Sequence, residues 1–130
     1  MEFSSFKFDI VDHVALVSFN RPEKRNSLHK EAWDEMRQVF EHCSTNPEVR
    51  VVVLSGEGKM FCAGIDVAML ADMTGYQSDC EARKREEFRV GLLKLQDDVS
   101  SLEKCQKPVI AAIHNACIGG GVDIISSADM

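Results

Sequence analysis

The stretch Gly119-Gly120-Gly121-Val122-Asp123 follows the apolar run Pro108 to His114 and leads into Ile124, Ile125 and Ser126. Three consecutive glycines let backbone N–H groups approach a ligand that any side chain would obstruct. A helix opening here aims those donors at bound negative charge, with Asp123 one turn inside. The pattern predicts a main-chain oxyanion pocket with a carboxylic acid beside it, an arrangement fit for carbanion or enolate chemistry. Tight turns and close helix packing also call for glycine, so the run is read with its neighbours.

Working outward, Lys59-Met60-Phe61-Cys62-Ala63-Gly64-Ile65-Asp66 comes after Arg50-Val51-Val52-Val53-Leu54, a β-branched run that reads as a buried strand. Ser55-Gly56-Glu57-Gly58 breaks that strand, and Ile65 to Met73 suits a short helix. The chain thus shows the same construction twice: apolar strand, small-residue loop, helix start. A carbonyl oxygen held between two such loops, one N–H from each, is polarised from both sides. Losing one donor of such a pair costs roughly 3 kcal/mol of transition-state stabilisation.

Elsewhere the patterning alternates between the two periods. Phe6, Phe8 and Ile10, then Val14, Leu16 and Phe19, read as a hairpin turning near Val11-Asp12. Ala32, Trp33, Met36, Val39, Phe40 and Cys43 form an apolar helical stripe, with Glu31 in the favourable first turn. Asn46-Pro47 ends that helix. Asp79 to Lys104 reads as helix with Phe88, Leu92, Leu95, Val99 and Leu102 on its apolar side, weakened by Gly91. These elements support an α/β fold.

Composition narrows the function classes. A chain of 130 residues, 45% apolar, can bury a sizeable core. The net charge of -6 gives no reason to expect nucleic acid. Arg83-Lys84-Arg85 lies among Glu81, Glu86 and Glu87, which predicts a solvated helix face. No apolar run is long enough for a membrane span. Met1-Glu2-Phe3-Ser4 has neither signal-peptide nor transit-peptide character, which leaves the compartment open. The five cysteines show no metal-ligand spacing, and their odd number speaks against a full disulfide framework; reduced intracellular thiols are expected. Cys62 adjoins Ala63, but no base is paired with it by sequence. His114 is expected in a loop or packing role. The glycine run is not G-x-G-x-x-G, which argues against a dinucleotide-binding fold.

Three pieces in order carry a family resemblance: Asn20-Arg21-Pro22 with Lys24-Arg25-Asn26-Ser27-Leu28; Phe61 to Asp66; and Lys107-Pro108-Val109-Ile110-Ala111-Ala112 through Gly121. Together they resemble the enoyl-CoA hydratase/isomerase (crotonase) superfamily. The resemblance implies a crotonase-like ββα spiral superhelix, incomplete at the C-terminus. Residues 1–130 would be the N-terminal part of a single core domain. It also implies an oxyanion hole from the N–H groups of Ala63 and Gly120. Arg25, with Lys24 as fallback, would meet the CoA phosphates or adenine. Asp66 sits in the matching adenine-loop region, where capping or bracing competes with direct contact. Met69, Leu70 and Met73 would border the acyl tunnel, or simply pack.

Hydratases of this type usually carry glutamate where this chain has Asp123. Aspartate after Cys117-Ile118-Gly119-Gly120-Gly121-Val122 resembles the Δ3,5-Δ2,4-dienoyl-CoA isomerases of fatty-acid β-oxidation. In those enzymes such an acid works far from the thioester, near C6, while a glutamate acts as base near C2 and a further aspartate assists. Those two acids belong to elements beyond Asp123, so the chain alone is expected to lack full activity. An apolar cleft and a neighbouring carboxylate are expected to keep one acid protonated. The resemblance implies a fatty acyl-CoA thioester as substrate, with CoA part of that substrate, and no redox or metal cofactor. It further implies a mitochondrial or peroxisomal setting and a homotrimer or homohexamer. Enoyl-CoA hydratase, Δ3-Δ2-enoyl-CoA isomerase, and a noncatalytic CoA-binding or assembly protein are the alternatives.

Overall fold

The computed structural model describes residues 2–75 and 77–130. Strand β1 (Phe6–Val11) turns into β2 (Val14–Phe19), and one turn of 3-10 helix (Pro22–Lys24) precedes α1 (Lys30–Thr45). Then come β3 (Val51–Gly56), α2 (Val67–Thr74), α3 (Glu81–Lys104), β4 (Val109–Ala111) and α4 (Gly120–Ser126). The sheet order is β1-β2-β3-β4: the first pair is antiparallel, and β2–β3 and β3–β4 are parallel. A hairpin followed by a helix and a parallel strand is the ββα unit expected above.

Asp12 and His13 carry φ of 49° and 68°, the double left-handed turn whose twist matches flanking strands. The turn falls one residue later than Val11-Asp12. The apolar stripe of α1 is its buried face residue for residue: Ala32, Trp33, Met36, Val39, Phe40 and Cys43. It packs with Val17, Val52, Leu54, Val109 and Ile124 in one core. Phe19 links Phe6 and Phe61 there, with ring centroids 5.2 and 5.4 Å away.

Two elements depart from the sequence pattern. Along α3 only Asp98, Ser101 and Leu102 are buried; Leu95 and Val99 lean on the core, while Phe88 and Leu92 are exposed. A 3.6-residue stripe shows which side of a helix is apolar, not how far the helix reaches past its partner. The run after Pro108 gives a strand of three residues only. Asp129 and Met130 return beside it: Asp129 N–H donates to Val109 O and Ala111 N–H to Met130 O, at 2.9 and 2.8 Å.

Candidate oxyanion site

Both glycine-bearing loops leave the same end of the parallel strands, and a strap from residues 21–28 stitches the first one in place. Asn26, 1% exposed, is the knot of this strap. Its side-chain amide donates to Glu57 O at 2.8 Å and Met60 O at 3.0 Å, and its Oδ1 accepts from Arg21 N–H at 3.0 Å. Leu28 N–H donates to Gly64 O at 2.8 Å, and Asp66 N–H to Leu28 O at 2.9 Å. Sequence reading gave Asn26 no role of its own; an asparagine inside a turn motif does not announce partners more than thirty positions away.

The two loops touch at Gly64. Its φ is 91°, and a Cβ there would stand 2.8 Å from Ile118 O and 3.4 Å from Gly120 N. Gly120 is buried against Trp33 and Ile65: an added Cβ would meet Ile65 Cγ1 at 3.2 Å and Trp33 Cη2 at 3.3 Å. A side chain there would force Ile65 and Trp33 to give way by a few tenths of an ångström. Gly120 opens α4, and its N–H donates to no protein acceptor among the described residues. This is the orphan donor of a helix's first turn.

The other expected donor is differently placed. Ala63 N–H is committed to Arg25 O at 3.0 Å. From Phe61 to Asp66, Ile65 is the residue whose N–H donates to no acceptor among the described residues. The reason is the parity of extended chain. Gly64 C=O and Asp66 N–H face the strap through the parallel Leu28–Ile65 bridge, so Ile65 turns its own N–H away from it. The free pair is therefore Ile65 and Gly120, and the sequence could reveal this only with the strap's register known.

Asp123 stands in the first turn of α4, as expected, and is exposed. Cys62 is fully buried; its thiol donates to Asn26 O and accepts from Gly64 N–H, each at 3.4 Å. Burial pushes that thiol up to about 11, so it is held protonated at neutral pH. His114 Nε2 donates to Gly58 O at 2.9 Å, a loop-bracing role.

Asp66 has both carboxylate oxygens engaged by protein. Oδ2 pairs with Arg21 Nη1 at 2.5 Å, and Oδ1 accepts from Ala68 N–H at 2.9 Å, capping α2. The Arg21 hydrogen bond, helped by the Ala68 N–H, holds this carboxyl below the usual range. Bracing is its observed role. Lys24 and Arg25 are exposed at the end of the 3-10 turn, and neither side chain has a partner among the described residues. Between α1, α2 and α3 runs a groove of about 530 Å³, with Trp33, Met69, Met73 and Leu95 in its wall. Leu70 is exposed and lies outside that wall. Among the described residues no cluster of His, Cys, Asp and Glu is placed to hold a metal ion, and no helix is long and apolar enough to cross a membrane.

Two parallel strands ending in touching loops, with free N–H groups at the contact, define the architecture of a crotonase-fold protein. Residues 9–130 match the family model for enoyl-CoA hydratase/isomerase, and the chain belongs to that family. It is 44% identical over 119 residues to the mitochondrial Delta(3,5)-Delta(2,4)-dienoyl-CoA isomerase of Homo sapiens, covering 91% of this chain and 36% of that protein. It is 42% identical to the peroxisomal Delta(3,5)-Delta(2,4)-dienoyl-CoA isomerase of Arabidopsis thaliana, covering 85% of this chain and 41% of that one. The crystal structure of an enoyl-CoA hydratase/isomerase from Xanthobacter autotrophicus superposes with a TM-score of 0.84 at 29% identity, covering 99% of this chain and 45% of that one. The chain thus spans between a third and a half of the length of these relatives.

Proposed function

We propose that this chain carries the oxyanion-binding part of a 3,5-dienoyl-CoA to 2,4-dienoyl-CoA isomerase, in a single core domain of which residues 1–130 form the N-terminal part. The observation that carries the reading is the free Ile65 and Gly120 N–H pair with Asp123 three residues beyond Gly120. Removal of a C2 proton from a 3,5-dienoyl thioester leaves a dienolate, its charge spread from the thioester oxygen along the conjugated carbons. Ile65 and Gly120 hold that oxygen, each donor aimed where charge develops. Asp123, protonated at that moment, delivers a proton to the far end of the diene. The base at C2 lies outside these three residues, and no upstream acid matches it by motif.

The groove beside Trp33 takes the acyl chain, its Met69 and Met73 walls adapting to chain shape. Arg25, with Lys24 beside it, meets the phosphates of the CoA arm; their unpartnered exposure suits that contact. Mitochondrial and peroxisomal relatives support an organellar setting. The competing reading is hydration of 2-enoyl-CoA, favoured by the hydratase/isomerase crystal structure that shares this fold.

Two measurements test the proposal. Titration of the ¹⁵N-labelled chain with an acyl-CoA thioester should move the amide resonances of Ile65 and Gly120; two unmoved amides sink the donor assignment. In an enzyme that joins this chain to the later acids, Asp123→Asn should lower dienoyl turnover on the order of 10²–10⁴-fold with thioester binding kept. Unchanged turnover refutes the role of Asp123. Strong 2-enoyl hydration without dienoyl conversion in the parent enzyme transfers the assignment to hydratase.

A further inference from the structure

Beyond β3 and β4 the two loops are joined once more, by an isolated parallel bridge between Cys62 and Cys117. Cys62 N–H donates to Ala116 O at 3.3 Å, and Ile118 N–H to Cys62 O at 3.0 Å. Directly paired residues put their side chains on one face of a ladder, and both sulfurs turn towards Gly121. A Cβ added to Gly121 would stand 3.0 Å from Cys117 Sγ and 3.2 Å from Cys62 Sγ. The missing side chain is what leaves room for two thiols side by side. Neighbouring strands hold their Cα atoms about 4.7–4.9 Å apart, within the roughly 4.4–6.8 Å that a disulfide spans. Cys62 is fully buried and Cys117 partly exposed. Burial raises both thiols, so in the reduced pair both sulfurs are protonated at neutral pH and react through a minor thiolate fraction.

We propose that Cys62 and Cys117 are a redox dithiol that a peroxide closes to an intramolecular disulfide. Cys117, the accessible member, attacks the O–O bond through its minor thiolate fraction and becomes a sulfenic acid; the departing hydroxide takes up the proton that the thiol released and leaves as water. The Cys62 sulfur then attacks the Cys117 sulfur, and the sulfenic oxygen leaves as a second water with the Cys62 proton. Two thiols and one hydrogen peroxide yield one disulfide and two waters. Cys62 lies three residues before Ile65 and Cys117 three before Gly120, so the bond fastens the bases of the two loops together. It also removes the thiol proton that Cys62 gives to Asn26 O. The effect on the donor pair rests on the oxyanion reading; the dithiol chemistry does not.

The test treats the reduced protein with hydrogen peroxide, unfolds it in denaturant, alkylates the remaining thiols, and maps non-reduced peptides by mass spectrometry. The expected result is a cross-linked peptide pair through Cys62 and Cys117, two hydrogens lighter than the free thiols and separated again by dithiothreitol. Cys117→Ser should leave Cys62 fully alkylated, and Cys80→Ser should form the same bond, since exposed Cys80 takes no part. Alkylation of both Cys62 and Cys117 after exposed Cys80 has been oxidised overturns the proposal, as does a cross-link found only between chains. Without any thioester present, the Ile65 and Gly120 amide resonances should shift on oxidation and return on reduction. Unmoved amides beside a formed disulfide overturn the coupling to the loops.

Discussion

Gly64 illustrates how much of this site depends on a single missing side chain. At φ 91° it lies in a region that L side chains rarely adopt, and its virtual Cβ meets the backbone oxygen of Ile118 at 2.8 Å. Neither partner is a flexible side chain that can move aside. Gly64→Ala should therefore lower unfolding stability by about 1–3 kcal/mol, read as a drop in the urea midpoint. Because Gly120 N is the next atom in that direction, the same substitution should separate the two loops and weaken thioester binding. A variant as stable as the parent contradicts the close approach.

At the scale of elements, α2 is set by its first residues rather than by its apolar face. Asp66 caps its N-terminus and holds Arg21 across the strap, so one carboxylate serves both helix and loop. The Arg21 hydrogen bond depresses its pKa in the folded state. A depressed carboxylate stabilises the fold above its unfolded pKa of about 3.9, and that contribution is lost as pH falls through the lower folded value. The strap should therefore stay latched at pH near 4 and open only in stronger acid, visible as chemical-shift changes at Leu28 and Ala68. Asp66→Asn keeps a competent cap but removes the charge, and should flatten this acid transition. An unaltered transition in the variant places the titrating group elsewhere.

For the molecule as a whole, helices α1 and α3 are clamped by a buried charge. Asp98 is 0% exposed; its Oδ1 accepts from Arg37, at 2.8 Å for Nε, and its Oδ2 from Lys94 at 3.1 Å. Lys94 also pairs with Asp34. Removing the acid leaves two cations facing a site built for an anion, which is far worse than never having the pair. Arg37 and Lys94 keep part of their water, so the loss for Asp98→Ala should be about 2 kcal/mol rather than the roughly 3–5 kcal/mol of a sealed pair. Denaturant unfolding measures it, and a neutral result shows that α3 is held by Leu95, Val99 and Leu102 alone.

By itself the sequence determined the local facts: period, punctuation and caps. The stripe from Ala32 to Cys43 could bury only one face, Asn46-Pro47 had to end that helix, and the glycines before Asp123 had to open another. Gly120 and Asp123 were legible for that reason, because a helix start assigns its free donors within the same few residues. The other donor was not legible. Whether Ala63 or Ile65 offers a free N–H depends on which residues the strap engages, and alternation along an extended chain reverses the answer with a one-residue shift in register. Only the tertiary structure places Arg25 O on Ala63 and Leu28 between Gly64 and Asp66. The same holds for Asn26, Asp98 and the Cys62–Cys117 pair, whose partners lie tens of residues away. Short-range patterns record what a segment prefers; pairing across the sheet decides which of its atoms remain free to act.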